Sequence, residues 1–296
     1  MSEAALFHGV IPYLATPMRA GQVDEVALGA LCERLIAAGV HGLCPLGSTG
    51  EFAYLTFAQK ERVVAATVEA AAGRVPVIAG AAATATEDAC AQARRWEALG
   101  VDGVLAVMEA YFPVSEDGIV GYFTAVAEAT GLPTVLYTNP NFQRSDLSIP
   151  ALERLARHPR IAGVKHASSS PGRLLPILTR TEGRLGIYAA SAHITAAVML
   201  IGGRGWMAGP SCLIPEQSVK LYELCRTGDW GAAMALQKDL WAVNEVFATF
   251  NLAGAVKAGL KLQGLDCGDP IAPQAPLSAE AVEAVAAALR GAGALD

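Results

Sequence analysis

The chain has 296 residues, of which 53 % are hydrophobic and 17 % charged, and its formal net charge is −6 with a pI near 5.4. This composition can bury a large core and excludes an intrinsically disordered protein, while the acidic balance argues against a general nucleic-acid-binding protein. The length accommodates either two average domains or one large α/β barrel.

No stretch of the sequence predicts a membrane anchor or a signal peptide. The longest apolar runs, such as 10–15 and 104–108, are far shorter than the roughly 18 residues that a spanning helix needs. The N-terminus carries Glu3 and has no basic region before an apolar run. The six cysteines include no CxxC pair, so we expect free, buried thiols in a cytoplasmic protein without a structural metal.

Eight short apolar runs alternate with longer stretches of helical spacing. The predicted strands, in chain order, are Val10–Ala15, Val40–Leu46, Val75–Ala79, Gly103–Val107, Thr134–Tyr137, Ala162–Lys165, Leu185–Ala189 and Gly205–Ala208. Eight alternating units predict a parallel sheet covered by helices and closed into a (β/α)8 TIM barrel. An open doubly wound sheet is the alternative, but no GxGxxG motif opens the first helix.

The stretches between the strands have the spacing of amphipathic helices. Thr56 is the predicted N-cap of one of them, and Gln59 three residues later suits a capping box. After Ala208 the alternation stops and only helices are predicted. They cover residues 218–225, 230–250, 253–262 and 279–289. We therefore expect a barrel domain over residues 1–226 and a C-terminal helical region over residues 227–296.

Lys165 is the strongest candidate for a reactive group, since the active site of a parallel barrel lies at the carboxyl ends of its strands. It ends an apolar strand, which would place its amine in the barrel mouth. Burial there disfavours the ammonium form, and a neutral amine is the nucleophile that forms a Schiff base with a ketone or aldehyde. The alternative is a lysine that pairs with a strand-end carboxylate and does no chemistry. The other five lysines lie on predicted helices, where we expect solvated charges: Lys60, Lys220, Lys238, Lys257 and Lys261.

Two further features lie at other strand ends. Tyr137 ends the fifth strand, next to the strand that carries Lys165, and its phenol can shuttle protons. A Gly-Ser-Thr-Gly-Glu loop follows the second strand and ends at Glu51. Its glycines allow close backbone approach, and Ser48 and Thr49 offer hydroxyl and N–H groups to a carboxylate. The alternative is a tight turn that places Glu51 near a helix N-terminus.

These motifs, in this order, resemble the dihydrodipicolinate synthase / N-acetylneuraminate lyase family of pyruvate-handling class I aldolases. The family pattern is G-[ST]-T-G-E after strand 2, a tyrosine in a Y-x-x-P turn after strand 5, and G-[IV]-K at the end of strand 6. The resemblance covers essentially the whole chain, from 9–17 through 202–206 into the helical tail. It implies a (β/α)8 barrel with C-terminal helices that assembles as a homotetramer or homodimer.

The resemblance also implies roles for individual residues. Lys165 would form the Schiff base, so that neither a metal nor an organic cofactor is needed. Tyr137, Thr49 and Tyr111 would be catalytic, with Tyr111 reaching across a dimer interface. The expected partners are pyruvate or another 2-oxo acid and an aldehyde. Substrate-binding roles are expected for Gly47, Ser48, Phe142, Arg144, Ser191, His193 and Met207.

Departures from the family pattern bear on the substrate. The synthase proper has an arginine two residues after the Y-x-x-P proline, where this chain has Phe142, with Arg144 two residues further on. Losing a guanidinium removes bidentate recognition of a carboxylate. The acidic pair after strand 7 is missing around Ser191, and His166 follows the lysine where an acidic residue is common. These differences argue against lysine-biosynthetic and sialic-acid roles. Phe142 and Trp206 suit an apolar partner, reminiscent of the family's hydratase-aldolases, which cleave aryl-substituted unsaturated pyruvates.

We therefore expect a Schiff-base-forming aldolase or lyase that acts on a 2-oxo acid by aldol cleavage, condensation or dehydration. A synthase-type condensation with an aldehyde is the alternative within the family. A non-catalytic barrel that binds a 2-oxo acid is a second alternative. A barrel enzyme for phosphorylated sugars is a third, but it predicts a glycine-rich site after strands 7 and 8, whereas 202–205 precedes strand 8. The roles of His166, His193 and Glu109 stay open.

Overall fold

Parallel strands form the centre of the fold in a computed structural model, which describes residues 7–139, 147–167, 171–190 and 194–296. The strands are β1 (Gly9–Pro12), β2 (Met18–Arg19), β3 (Gln22–Val23), β4 (Ile78–Ala83), β5 (Gly103–Met108), β6 (Thr134–Thr138), β7 (Ile161–His166), β8 (Gly186–Ala189) and β9 (Gly205–Ala208). Seven of them form one sheet in the order β1-β9-β8-β7-β6-β5-β4, and β2 and β3 form a separate antiparallel ribbon.

Residues 43 and 44 join the two edges of this sheet. Leu43 forms a parallel bridge to Val77, next to β4, and Cys44 forms one to Tyr13, next to β1. The Cys44 amide donates a hydrogen bond to the Pro12 carbonyl at 3.0 Å. The sheet therefore closes on itself, and the predicted (β/α)8 TIM barrel is confirmed.

Closure depends on a very close approach between this segment and β4. The Gly80 amide donates to the Pro45 carbonyl at 3.0 Å. A Cβ atom on Gly80 would lie 2.0 Å from the carbonyl oxygen of Leu46, so no larger residue fits. Leu46 itself has a φ of +59°, a left-handed conformation that residues other than glycine seldom adopt.

The sequence located all eight strand positions, and five of the predicted strands agree with the structure within one residue at each end. The prediction was wrong in extent for the other three. The run 10–15 forms a strand only to Pro12, the run 40–46 contributes only the two bridges, and the run 75–79 becomes a strand that starts at Ile78. Prolines explain these shifts, because Pro12, Pro45 and Pro76 have no N–H to donate to a neighbouring strand.

Helices cover the outside of the barrel. They are α1 (Glu25–Ala37), α2 (Phe57–Ala71), α3 (Thr86–Ala98), α4 (Glu116–Glu128), α5 (Ile149–Leu155), α6 (Leu174–Arg180), α7 (Thr195–Ile201) and α8 (Pro215–Thr227). The predicted capping box of α2 is confirmed, since the Thr56 side chain accepts from the Gln59 amide and the Gln59 side chain accepts from the Thr56 amide.

Four more helices complete the chain. They are α9 (Trp230–Asp239), α10 (Trp241–Thr249), α11 (Leu252–Leu262) and α12 (Ala279–Gly291). The single helix predicted over 230–250 is therefore wrong, because it is divided at Leu240. The Asn244 side chain donates to the Leu240 carbonyl at 3.1 Å, a local bond of the kind that bends helices. The division into units 1–226 and 227–296 stays a prediction.

All six cysteines are free and buried, as predicted. Among the residues that the structure describes, no helix combines the length and the apolar character that crossing a membrane requires.

We expect Gly80→Ala to lower the free energy of unfolding by about 3 kcal/mol, because the new methyl group meets the backbone that closes the barrel. Gly121→Ala is the matched control. Gly121 lies on α4, and a Cβ atom there would have no neighbouring atom within 4 Å. The control should change stability little or raise it by about 0.5–1 kcal/mol. Urea unfolding followed by circular dichroism measures both. Equal stability of the two variants would contradict the role given to Gly80.

Candidate active site

Lys165 and Tyr137 lie side by side on neighbouring strands. Tyr137 of β6 pairs in register with Lys165 of β7, and each is one residue from the end of its strand. The Lys165 Nζ lies 3.7 Å from the centre of the Tyr137 ring and 3.9 Å from the centre of the Tyr13 ring. Tyr13 follows β1 on the other side of the barrel. The amine is therefore held between two aromatic rings at the carboxyl end of the barrel.

The surroundings of Lys165 favour a neutral amine. Its side chain is buried, with 3 % of its surface exposed. Burial lowers the pKa of Lys165 below its ordinary value because the ammonium loses its hydration, although the hydroxyl of Tyr137 opposes this shift. Within the described part of the chain, no Asp or Glu forms an ion pair with Lys165. This argues against the purely structural alternative, a lysine neutralised by a carboxylate.

The hydroxyl of Tyr137 accepts hydrogen bonds from two side chains among the described residues. Asn139 Nδ2 donates to it at 3.0 Å and Ser48 Oγ donates to it at 3.4 Å. Burial alone would raise the pKa of Tyr137, but the charge of Lys165 and these hydrogen bonds together lower it. The phenol is thus placed and polarised to exchange a proton with a group bound at Lys165.

The Gly-Ser-Thr-Gly-Glu loop approaches Lys165 from the segment that closes the barrel. A Cβ atom on Gly47 would lie 2.4 Å from the Tyr13 ring, so the loop needs glycine there. Residues Ser48–Gly50 form a single 3-10 turn. Thr49 is fully buried, and its hydroxyl makes no hydrogen bond among the described residues. Ser48, rather than Thr49, is therefore the loop residue that is hydrogen-bonded to Tyr137.

Glu51, the last residue of this loop, makes a buried ion pair. Its Oε2 lies 2.6 Å from Nζ of Lys257 on α11, and both side chains are almost completely buried. The other oxygen, Oε1, accepts from the Ile271 amide at 2.6 Å and from Gln274 Nε2 at 2.9 Å. The expectation of a solvated charge at Lys257 was wrong, because its helix faces the loop across the top of the barrel. The C-terminal helices thereby hold the loop that contacts Tyr137.

Two adjoining cavities open at this end of the barrel. The smaller, of about 220 Å³, contains Lys165 on its wall, and the larger, of about 830 Å³, lies beside it. Residues that line both include Ser48, Tyr137, Asn139 and Phe247. The smaller cavity is further lined by Asn244, from α10.

The remaining predicted site residues lie at different distances from Lys165. Tyr111 is 74 % exposed at the rim of the larger cavity, and its ring packs edge-to-face on Phe112. Met207 is buried in β9, directly before Ala208, which lines the smaller cavity. Four predicted residues lie outside the described ranges, and their roles stay predictions: Phe142, Arg144, Ser191 and His193.

His166 faces away from the barrel interior. It is buried and lines a small space between β8 and the helices with Leu174 and Val198. This follows from the strand alternation, which sends the side chains of Lys165 and His166 to opposite faces. Within the described ranges, no group of three His, Cys, Asp or Glu side chains is arranged to bind a metal ion.

Sequence reasoning missed three residues of the site. Tyr13 directly follows β1 in the structure, but it was missed because the first strand was predicted to run on to Ala15. Asn139 lies in the Y-x-N-P turn but was not given a role. Asn244 had no recognisable signal, because nothing in a helical sequence shows which helix will cover the barrel mouth.

Comparison with known proteins identifies the family. The profile of the dihydrodipicolinate synthetase family matches residues 6–292. The chain belongs to this family. A 4-hydroxy-tetrahydrodipicolinate synthase of Acidiphilium cryptum is 37 % identical over 292 residues, covering 98 % of this chain and all of the relative. One from Phenylobacterium zucineum is 35 % identical, covering 97 % of this chain and 98 % of the relative.

Solved structures agree with this assignment. A dihydrodipicolinate synthase from Agrobacterium tumefaciens superposes with a TM-score of 0.92 at 30 % identity, covering 98 % of this chain and 99 % of the other. A prophage protein of the family from E. coli K12, solved in complex with pyruvate, has a TM-score of 0.92 at 26 % identity with the same coverage. The chain is thus an enzyme of the class I, pyruvate-dependent lyases and synthases, whose members bind pyruvate through a lysine Schiff base without a metal or other cofactor.

The two buried lysines allow a matched test of their electrostatics. We expect Lys257→Met to lower the free energy of unfolding by about 3 kcal/mol, because it leaves Glu51 buried without its partner. Lys165→Met should instead raise it by about 1 kcal/mol, because an unfavourably buried amine is replaced by an apolar side chain. Chemical unfolding at neutral pH measures both.

The gain from Lys165→Met should depend on pH. The lysine pKa is lower in the folded protein than in the unfolded chain, so the unfolded state binds more protons between those two values. The stability of the unsubstituted protein therefore rises with pH in that window, up to 10.5, and the difference from Lys165→Met narrows. A loss of stability in Lys165→Met at neutral pH would contradict this description.

Proposed function

We propose that this enzyme uses Lys165 as the Schiff-base lysine of a pyruvate-dependent aldol reaction. The observation that carries the proposal is the position of the Lys165 amine, buried between the rings of Tyr13 and Tyr137 on the wall of the smaller cavity. A non-catalytic binding barrel would have no need for a buried amine without a carboxylate partner, since burial of such a group is unfavourable.

In the condensation direction, the neutral Lys165 amine attacks the keto carbon of pyruvate to give a carbinolamine. Loss of water yields an iminium, which withdraws electrons from the methyl carbon so that this carbon releases a proton and an enamine forms. The enamine carbon then bonds to the carbonyl carbon of an aldehyde, and the aldehyde oxygen takes up a proton. Water hydrolyses the resulting iminium and restores the amine. Aldol cleavage follows the same steps in reverse.

Tyr137 is the proton-transfer group in this scheme. Its hydroxyl gives a proton to the leaving water of the carbinolamine, and the resulting phenolate takes up the proton that the methyl carbon releases. The restored hydroxyl then gives that proton to the aldehyde oxygen, while Asn139 and Ser48 hold it in place. Ser48, Thr49 and the backbone after Gly47 bind the pyruvyl carboxylate, and Thr49 assists proton transfer. Tyr111, exposed in one chain, completes the site from a second subunit.

The acceptor that we favour is an apolar or aromatic aldehyde, as in a hydratase-aldolase that acts on aryl-substituted unsaturated pyruvates. The larger cavity supports this, since Phe52, Met108, Phe247 and Phe250 are among the residues that line it. Phe142 also stands where the synthase proper has a carboxylate-binding arginine. The second candidate is condensation with a carboxylated aldehyde, because the curated relatives are named 4-hydroxy-tetrahydrodipicolinate synthase.

Borohydride trapping tests the role of Lys165. Pyruvate followed by borohydride should add one reduced pyruvyl group per chain, and peptide mapping should locate it on Lys165. Lys165→Ala should abolish the adduct, whereas Lys220→Ala, which removes an exposed lysine, should leave it unchanged. A folded protein that gives no adduct, or gives one elsewhere, would exclude this assignment. Comparing an aromatic with a carboxylated aldehyde as acceptor then separates the two candidate reactions.

Tyr137→Phe should lower kcat about 10²–10³-fold, the usual contribution of a positioned proton-transfer group. The same change should lower the pKa of Lys165 further, because the hydroxyl of Tyr137 opposes the effect of burial. The rate of Schiff-base formation against pH should therefore reach its plateau at a lower pH in this variant. A full rate with an unchanged profile would show that Tyr137 has no part in proton transfer.

A further inference from the structure

The larger cavity contains a charged group that the proposed reaction does not use. Among the described residues that line it, only Glu51 and Glu109 carry a charge. Glu51 is neutralised by its ion pair with Lys257. Glu109 is half-buried, and within the described part of the chain its carboxylate makes neither a hydrogen bond nor an ion pair. Among the described residues, a ligand in this cavity therefore meets one carboxylate, Glu109, that has no hydrogen-bond or ion-pair partner.

The partial burial of Glu109 strengthens the interaction of its carboxylate with the polar groups of a bound ligand. Burial raises the pKa of Glu109, because the cavity wall keeps part of the water away. Lys60, on α2, opposes this shift, but it lies beyond ion-pair distance and does not line the cavity. A partly dehydrated carboxylate gains most from a group that donates a hydrogen bond, and a second carboxylate next to it is repelled.

The strand register places Glu109 where the end of an aldehyde remote from its reacting carbon would lie. Val107 of β5 pairs with Tyr137, and Tyr137 pairs with Lys165. Glu109 is the first residue after β5, two residues beyond Val107. Two strand spacings across the sheet and two residues along the chain therefore separate the Cα atoms of Lys165 and Glu109 by about 12 Å. An aldehyde that reacts with an enamine on Lys165 would thus have its remote end near Glu109, with its middle among the apolar side chains of the cavity.

We propose that Glu109 determines acceptor specificity, selecting aldehydes whose remote end carries an N–H or O–H donor and disfavouring those that carry a carboxylate. This inference rests on the proposed function, because it takes Lys165 as the point where the acceptor reacts. It makes an apolar aldehyde with a terminal hydrogen-bond donor the favoured substrate class. It also separates this chain from an enzyme that recognises a carboxylated acceptor.

The test compares three benzaldehydes that differ only at the position opposite the aldehyde: hydroxymethyl, ethyl and carboxylate. Hydroxymethyl and ethyl have the same size, so their ratio of kcat/KM with pyruvate reports the donor alone. We expect the unsubstituted enzyme to favour hydroxymethyl over ethyl about tenfold and to disfavour the carboxylate about tenfold relative to ethyl. Glu109→Gln should raise the carboxylate-to-ethyl ratio about tenfold, and Glu109→Lys should raise it further.

Glu128→Gln is the control, since Glu128 is exposed at the end of α4 on the outside of the barrel. It should leave all ratios unchanged. Borohydride trapping of pyruvate in each variant shows whether the proposed function itself fails or only the specificity role of Glu109. Loss of the pyruvyl adduct in the unsubstituted enzyme would contradict the proposed function itself. A normal adduct with ratios that do not respond to the charge at position 109, or with no turnover of any of the three aldehydes, would overturn the specificity role of Glu109.

Discussion

The burial of the Lys165 side chain away from water is the constraint on which the arrangement of the site depends. The proposed reaction needs a neutral amine at Lys165, which burial favours. Several distant parts of the chain provide that burial. Tyr13 and Tyr137 cover the amine from two strands. The close contact of Gly80 with the backbone at Leu46 closes the barrel beneath it. Asn244 and Phe247 border the cavity from the C-terminal helices. The barrel and the helices after it therefore act as one enclosure.

A second buried lysine, Lys257, forms an ion pair and so provides a contrast to Lys165 within the same protein. Lys257 meets a carboxylate directly, and the oxygens of Glu51 are engaged by a charge, a backbone amide and a side-chain amide. Such a pair contributes position more than stability, because desolvation of both charges offsets much of their attraction. What it positions is the Ser48–Gly50 turn, and through Ser48 the hydroxyl of Tyr137. Lys165 has no such carboxylate among the described residues, and that difference supports the role proposed for its amine.

The parts of this arrangement that depend on local pattern were predictable from the sequence. The alternation of apolar runs and amphipathic stretches indicated eight strands, and strand ends identified Lys165 and Tyr137 as neighbours before any register was known. Strand lengths were less predictable, because Pro12, Pro45 and Pro76 interrupt the hydrogen bonding of runs that are apolar throughout. The pairing of Glu51 with Lys257 was not predictable at all. It joins a loop to a helix far along the chain, and a lysine on an amphipathic helix is ordinarily solvated. Asn244 was missed for the same reason, since its role depends on how α10 packs over the barrel.

The presence of two adjoining cavities bears on how such an enzyme can change its substrate. In the proposed reaction, Lys165 and Tyr137 lie on two neighbouring strand ends fixed by register, and the loop that binds the 2-oxo acid is held by the Glu51–Lys257 pair. The segment after β5 contributes residues such as Glu109 that line the larger cavity but not the smaller one. In the proposed reaction, a change of residue at position 109 would alter the charge that an acceptor meets while the register of Tyr137 and Lys165 stays the same. Acceptor preference can therefore diverge within the family while the chemistry at the lysine is kept, and overall identity to named synthases constrains the reaction more tightly than it constrains the aldehyde.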